Sequence, residues 1–255
     1  MQFLQTVWSI WEKYHSMLLG GVANTMLIAI TGTVLGLLIG IVIGIIRTIP
    51  QSKNIVVRII QKIVNFLLSV YIEVFRGTPM MVQAMVIYWG YAFAMGGKTL
   101  PLMLSAIVIV SINTGAYIAE IVRGGIISID KGQFEGAHSI GMNHFQTMIH
   151  VVLPQVLRNI LPAVSNEFVI NIKDTSVLNV IGVTELYYQS YSVASINYKT
   201  FQTYAITCVI YFILTFSVTR ILRLIERKMD GKKNYTVFGS QSDPKAEIHI
   251  KGEGA

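Results

Sequence analysis

Residues 153–183 read LPQVLRNILPAVSNEFVINIKDTSVLNVIGV, and whether this stretch crosses a membrane decides the architecture of the chain. It is long enough, because a helix needs about 20 residues to cross the hydrocarbon core. It is also polar for a span, with Arg158, Pro162, Asn166, Glu167, Asn171, Lys173, Asp174 and Asn179. Its surroundings settle the question. Residues 17–46, 100–121 and 201–225 are apolar for long enough to cross as helices. Residues 63–93 are apolar but interrupted by Glu73, Arg76, Gly77 and Pro79, the pattern of a broken or bent span.

Lysine and arginine collect on cytoplasmic flanks. Arg47, Lys53, Arg58 and Lys62 follow the first span, Arg123 and Lys131 follow 100–121, and Arg220, Arg223, Arg227, Lys228, Lys232 and Lys233 close the chain. The alternate connections carry only Lys98 and Lys199. Returning the C-terminal cluster to the side of Arg123 takes two crossings, and only 153–183 can supply the one that is missing. The expectation is an all-α integral membrane protein with five transmembrane helices, N-terminus outside and C-terminus cytoplasmic.

The composition agrees. Of 255 residues 53% are hydrophobic and 13% charged, where soluble domains carry about 25% charged residues; mean hydropathy is +0.58. The net charge of +7 does not point to nucleic acid, because the cations flank apolar spans instead of interleaving with stacking aromatics. Cys208, the single cysteine, lies in an apolar run and is expected to be buried. Residues 1–16 lack the basic start and small-residue cleavage site of a secretory signal and read as an N-terminal interfacial segment. Residues 17–229 form the transmembrane domain, and the polar tail 230–255 is expected to be disordered.

Between the third and fourth spans stand Glu135-Gly136-Ala137, three residues, Gly141, nine residues, and Val151-Val152-Leu153-Pro154. This spacing resembles the EAA motif of bacterial ABC importer permeases, Glu-Ala-Ala, three residues, Gly, nine residues, Ile-x-Leu-Pro. Gly136 stands for an alanine and Val151 for an isoleucine. The resemblance implies the type I ABC importer permease fold, with a cytoplasmic coupling helix whose residues Glu135, Gly136, Ala137 and Gly141 dock on a separate ATPase subunit. Glu135 is expected near the helix start, where it suits the macrodipole, Gly141 at a turn, and Pro154 at the first turn of a new helix.

Two further stretches, YIEVFRGTP at 71–79 and NEF at 166–168 with KDTS at 173–176, resemble the polar amino-acid branch of these permeases, the histidine, glutamine and arginine type. The similarity covers roughly 17–229, and IKDTSVLNVIGVTEL at 172–186 is closest to glutamine-type permeases. What it implies is a chain in the bacterial cytoplasmic membrane that pairs with a second permease chain, homodimer or sister subunit, and with an ABC ATPase dimer. An extracytoplasmic amino-acid-binding protein delivers the substrate. ATP and magnesium belong to the ATPase, so no cofactor is expected in this chain and it is not itself an enzyme.

Glu167, Asn171 and Asp174 fall at i, i+4 and i+7, one face of a helix. Ionisable groups are costly in lipid and usually face the bundle interior or a water-filled path, so these three are the candidate substrate pathway. The competing reading pairs the carboxylates with Arg158 or Lys173. Glu120 and Arg123, one turn apart, are expected to pair with each other, and Glu73 with Arg76 to clamp the bent span.

Other patterns fail on spacing. Gly96-Gly97-Lys98-Thr99 lacks the glycine a phosphate-binding loop requires at position 92, which is Ala92. His138, His144 and His150 recur every six residues and do not share a helix face, so no metal site is expected. Gly32, Gly36, Gly40 and Gly44 form a small-residue ridge for close helix packing. The alternatives are an ion-coupled secondary transporter, disfavoured because such carriers are built from paired repeats, and a membrane enzyme or non-transporting scaffold. Against the last two stand the missing acid–base pair and the coupling spacing.

Overall fold

The computed structural model describes residues 2–229, and its first element, α1 (Gln2–Ile46), is a single helix of 45 residues. No glycine or proline occurs before Gly20 to stop it. Residues 1–16 are therefore not a separate element: from Gln2 onward they open the rod that crosses the bundle. The tail 230–255 lies outside the described residues.

α2 (Ile55–Gly77) starts at Asn54, whose side-chain oxygen accepts from the Val56 N–H at 2.9 Å, and α3 (Met80–Ala94) follows across Thr78 and Pro79. The break expected in 63–93 is here, and its chemistry is explicit. Pro79 has no N–H to give the carbonyl of Phe75. Gln83 supplies one from its side chain, donating to the Phe75 carbonyl at 2.9 Å and the Thr78 carbonyl at 2.8 Å, while its own oxygen accepts from Asn113 at 2.8 Å. A broken helix is tolerated at membrane depth only when its freed groups are satisfied within the protein, as they are here.

α4 (Leu102–Ile127) lies along α1. A Cβ on Gly32, Gly40 or Gly44 would come within 2.5 Å of Val110, Ile118 or Val122 respectively, and one on Gly36 within 2.8 Å of Thr114. The ridge expected from the fourfold spacing is the seam between these two helices.

Then come α5 (Lys131–Ser139) and α6 (His144–Thr147), which continues through a π turn (Met148–Val152) into α7 (Leu153–Asp174) and a 3-10 turn (Thr175–Ile181). α7 has Pro154 in its first turn, as expected, but it continues from α6 through the π turn without a break. The continuous helical stretch starts at α6, where a capping box joins the Asn143 oxygen to the Gln146 N–H and the Gln146 side chain to the Asn143 N–H, both at 2.9 Å. α8 (Leu186–Asn197) and α9 (Thr200–Met229) complete the described chain.

Among the described residues, five helical stretches are long and apolar enough to span a membrane: Gln2–Ile46, Ile55–Gly77, Leu102–Ile127, His144–Ile181 and Thr200–Met229. The polar stretch that decides the architecture is among them. α2 reaches spanning length alone, with α3 an additional short apolar helix. Ile118 and Val122 of α4 pack on Val152 and Val156, and Leu18 of α1 joins Leu186 of α8 and Ile206 of α9. Large apolar side chains such as Phe66, Leu67, Phe212 and Ile213 point outward, the arrangement of helices whose outer faces meet lipid. Cys208 is exposed on α9, not buried.

Candidate functional site

Two regions carry chemistry. The first is the connection between α4 and α7. Asp130 caps α5, accepting from the Gly132 N–H at 2.6 Å, so the helix begins at Lys131 and Glu135 sits mid-helix instead of near its start. Ala137 is buried against the bundle while Glu135, Gly136 and Gly141 are exposed. Gly141 has φ +83°, a left-handed conformation that disfavours side chains, and the turn is closed by bonds from the Gly141 N–H to the His138 carbonyl at 3.0 Å and from the Met142 N–H to the Ala137 carbonyl at 3.1 Å. Ile140 and Phe145 flank this turn with 74% and 71% of their surface exposed. The segment from α5 to α6 thus exposes one carboxylate and two large apolar side chains, a mixed surface rather than a packed one.

Behind this segment, Glu120 is gripped from two helices. Arg123 donates to it at 2.9 Å, the expected pairing, and Arg47 at the end of α1 adds a second ion pair that the sequence did not reveal. Arg47 also donates to Ser69 of α2 at 3.2 Å, so three helices are tied together on the α5 side of the bundle.

The second region is the polar face of α7. Glu167 is half-buried, makes no ion pair or hydrogen bond among the described residues, and has Asp174 and Arg76 as its charged neighbours. Asp174 is exposed. Neither carboxylate is ion-paired with Arg158 or Lys173 in the described chain. Arg76 does not clamp Glu73: its guanidinium lies 5.5 Å from the centre of the Tyr117 ring, a cation–π contact at the break between α2 and α3. Arg76 and Tyr117 thus join the carboxylates, and sequence spacing had no means of bringing them there.

Asn171 is placed differently from its two companions. It is 3% exposed, and its amide donates to Thr33 of α1 at 2.8 Å and to Thr114 of α4 at 3.0 Å. A residue the sequence did not single out, Glu185, is fully buried at the start of α8. Its carboxylate accepts from the N–H groups of Tyr187 and Tyr188 at 2.8 and 2.7 Å and from the Tyr211 hydroxyl at 3.0 Å.

Residues 36–231 match the family described as binding-protein-dependent transport system inner membrane component. The glutamine transport system permease protein GlnP of Escherichia coli (strain K12) is 41% identical over 167 residues, covering 66% of this chain and 76% of that protein. The L-cystine transport system permease protein TcyB of Bacillus subtilis (strain 168) is 39% identical over 163 residues, 64% of this chain and 69% of that protein. Among solved structures, a chain of an amino acid ABC transporter crystallised with histidines superposes with a TM-score of 0.73 at 34% identity, covering 89% of this chain and 99% of that one. An inward-facing MetNI methionine ABC transporter matches with a TM-score of 0.71 at 20% identity over 86% of this chain and 98% of that chain, a likeness of fold.

Proposed function

Because this chain belongs to the family of binding-protein-dependent transport system inner membrane components, we propose that it is the permease of an importer for polar amino acids, of glutamine type before arginine or histidine type. The names of its relatives and of its structural neighbour support that substrate class. The carrying observation is the exposed α5–α6 segment, which presents Glu135, Ile140 and Phe145 at the surface on either side of the left-handed turn at Gly141. A separate ATPase dimer docks there, binds ATP and magnesium, and drives the spans through the Glu120 tie. A second permease chain completes the pathway, and an extracytoplasmic binding protein delivers the amino acid. The N-terminus is outside and the C-terminus cytoplasmic.

Within the membrane, Glu167 and Asp174 line the path, and Arg76 stands opposite. The carboxylates hold the α-ammonium group common to every amino acid, and the guanidinium offers a counter-charge to the α-carboxylate. Asn171 acts one step back, anchoring the helix that presents them. ATP-dependent uptake of a panel of labelled amino acids, in vesicles carrying the chain with its ATPase and binding protein, tests this reading. Uptake of glutamine, arginine or histidine that needs hydrolysable ATP supports it, and uptake driven by an ion gradient without the ATPase contradicts it. The orientation has its own check: a cysteine at position 98 should label from outside intact cells and one at position 138 should not.

A further inference from the structure

The break between α2 and α3 is fastened to one stretch of α4. Ahead of the break the Tyr71 hydroxyl donates to the Ile112 carbonyl at 2.6 Å. Beyond it, the Asn113 amide donates at 2.8 Å to Gln83, the residue that mends the backbone at Pro79. One turn along α4, on the same face as Asn113, the ring of Tyr117 receives the guanidinium of Arg76 at 5.5 Å. Asn113 and Tyr117 stand close to the middle of α4, a helix of spanning length, so Arg76 sits at membrane depth.

A cation at that depth is costly against lipid and turns to protein or to a water-filled path. Arg76 is exposed, makes no ion pair among the described residues, and has Glu167 of α7 as a charged neighbour. Among the described residues the contact that fixes its guanidinium is the face of Tyr117. Tyr117 is half-buried and its hydroxyl makes no hydrogen bond there, so the ring carries the contact and the hydroxyl does not. An arginine side chain is long and samples many rotamers, and holding a ligand freezes them. A ring that seats the guanidinium beforehand removes much of that cost from binding.

We infer that Tyr117 is a positioning residue for the solute: the face of its ring holds the Arg76 guanidinium at the break, on the side of Glu167, ready for the α-carboxylate of an amino acid. The inference rests on the reading of Glu167, Asp174 and Arg76 as the substrate path. Tyr117 itself need not touch the solute. Its seat is stiff because Asn113, one turn away, ties the same break to the same helix.

The test is equilibrium binding of labelled glutamine, arginine and histidine to the assembled permease–ATPase complex in detergent, without binding protein. The chains compared are wild type, Arg76→Ala, Tyr117→Leu, Tyr117→Phe and the double variant Arg76→Ala with Tyr117→Leu, with unfolding midpoints recorded alongside. Tyr117→Leu should weaken binding about fivefold, the scale of one cation–π contact, and Tyr117→Phe, which keeps the ring, should recover most of that loss. In the Arg76→Ala background Tyr117→Leu should weaken binding no further, because no guanidinium is left to seat. Tyr117→Met gives the same comparison should Tyr117→Leu fail to fold. Weaker binding in Arg76→Ala with wild-type affinity in Tyr117→Leu would overturn the inference and leave the path reading standing. So would equal losses from Tyr117→Leu in both backgrounds, the mark of a packing role. Wild-type affinity in Arg76→Ala, or no binding of any of the three by wild type, would contradict the path reading and take the inference with it.

Discussion

The side-chain amide of Asn171 donates to Thr33 Oγ1 at 2.8 Å, joining residues 138 positions apart and fixing α7 against α1. Thr114 of α4 completes the contact, donating to the Asn171 carbonyl oxygen at 3.2 Å. Three helices therefore meet on one buried amide directly beside the face that carries Glu167.

Asn171→Ala should lower the stability of the purified chain by about 1 kcal/mol, the scale of an interhelical polar contact within a membrane bundle. Thermal unfolding in detergent measures it. Because Asn171 acts on the seating of α7, the same substitution should lower the yield of folded chain before it changes which amino acid is carried. A change of preference with stability intact would put Asn171 in the path itself.

The seam between α1 and α4 makes a sharper demand. A Cβ on Gly40 would lie 2.5 Å from Ile118 and 2.9 Å from the backbone of Ala119, so Gly40→Leu should separate the helices and cost at least about 1–3 kcal/mol. Gly20→Ala, on the same helix but facing open space, is the control. Comparing the fraction of each variant that elutes as folded chain in size-exclusion chromatography checks the contrast. Equal recovery of the two would mean the ridge is not a packing seam.

Much of the fold was legible because lipid is a strict solvent: apolar length alone gives the spans. The glycine ridge was legible for the same kind of reason, since a fourfold repeat has one geometric meaning. Local readings failed where the partner is distant in sequence. Spacing put Asn171 on the face of Glu167 and Asp174, but only packing reveals that Thr33 and Thr114 occupy it. Arg76 was read as the neighbour of Glu73, yet it stacks on Tyr117, 41 positions away. Glu185 was passed over because glutamate is an uncommon helix cap and its third partner, Tyr211, lies on another helix. Pro154 was legible as the first turn of α7, whereas the Asn143–Gln146 box that opens the continuous helical stretch at α6 went unread.

Glu185 also predicts a pH dependence. It lies between the fourth and fifth spans, and burial pushes its carboxyl above the ordinary value of 4.5, in spite of the backbone N–H groups of Tyr187 and Tyr188 and the Tyr211 hydroxyl that favour the charged form. A carboxyl raised on folding contributes stability that is fully present below its unfolded value and lost as pH rises through its folded value. Unfolding midpoints of wild type and Glu185→Gln, compared from about pH 4 to about pH 8, should show wild type losing ground to the variant as pH increases. Parallel curves would mean that the buried hydrogen bonds cancel the cost of burial.

The central claim is that an ATPase working through the α5–α6 surface drives solute along the face of Glu167 and Asp174. Its most direct test is ATP-driven uptake of labelled glutamine, arginine and histidine in vesicles carrying the assembled transporter, measured for wild type, Glu135→Lys and the double variant Glu167→Gln with Asp174→Asn. Yield of intact complex is recorded alongside. Wild-type uptake should require ATP hydrolysis. Glu135→Lys should lose about tenfold or more, corresponding to about 1.4 kcal/mol at a docking surface, with the spans still folded. The double variant should assemble normally and transport poorly or with altered preference. Full ATP-driven uptake by Glu135→Lys, together with unchanged rate and preference in the double variant, would contradict the account.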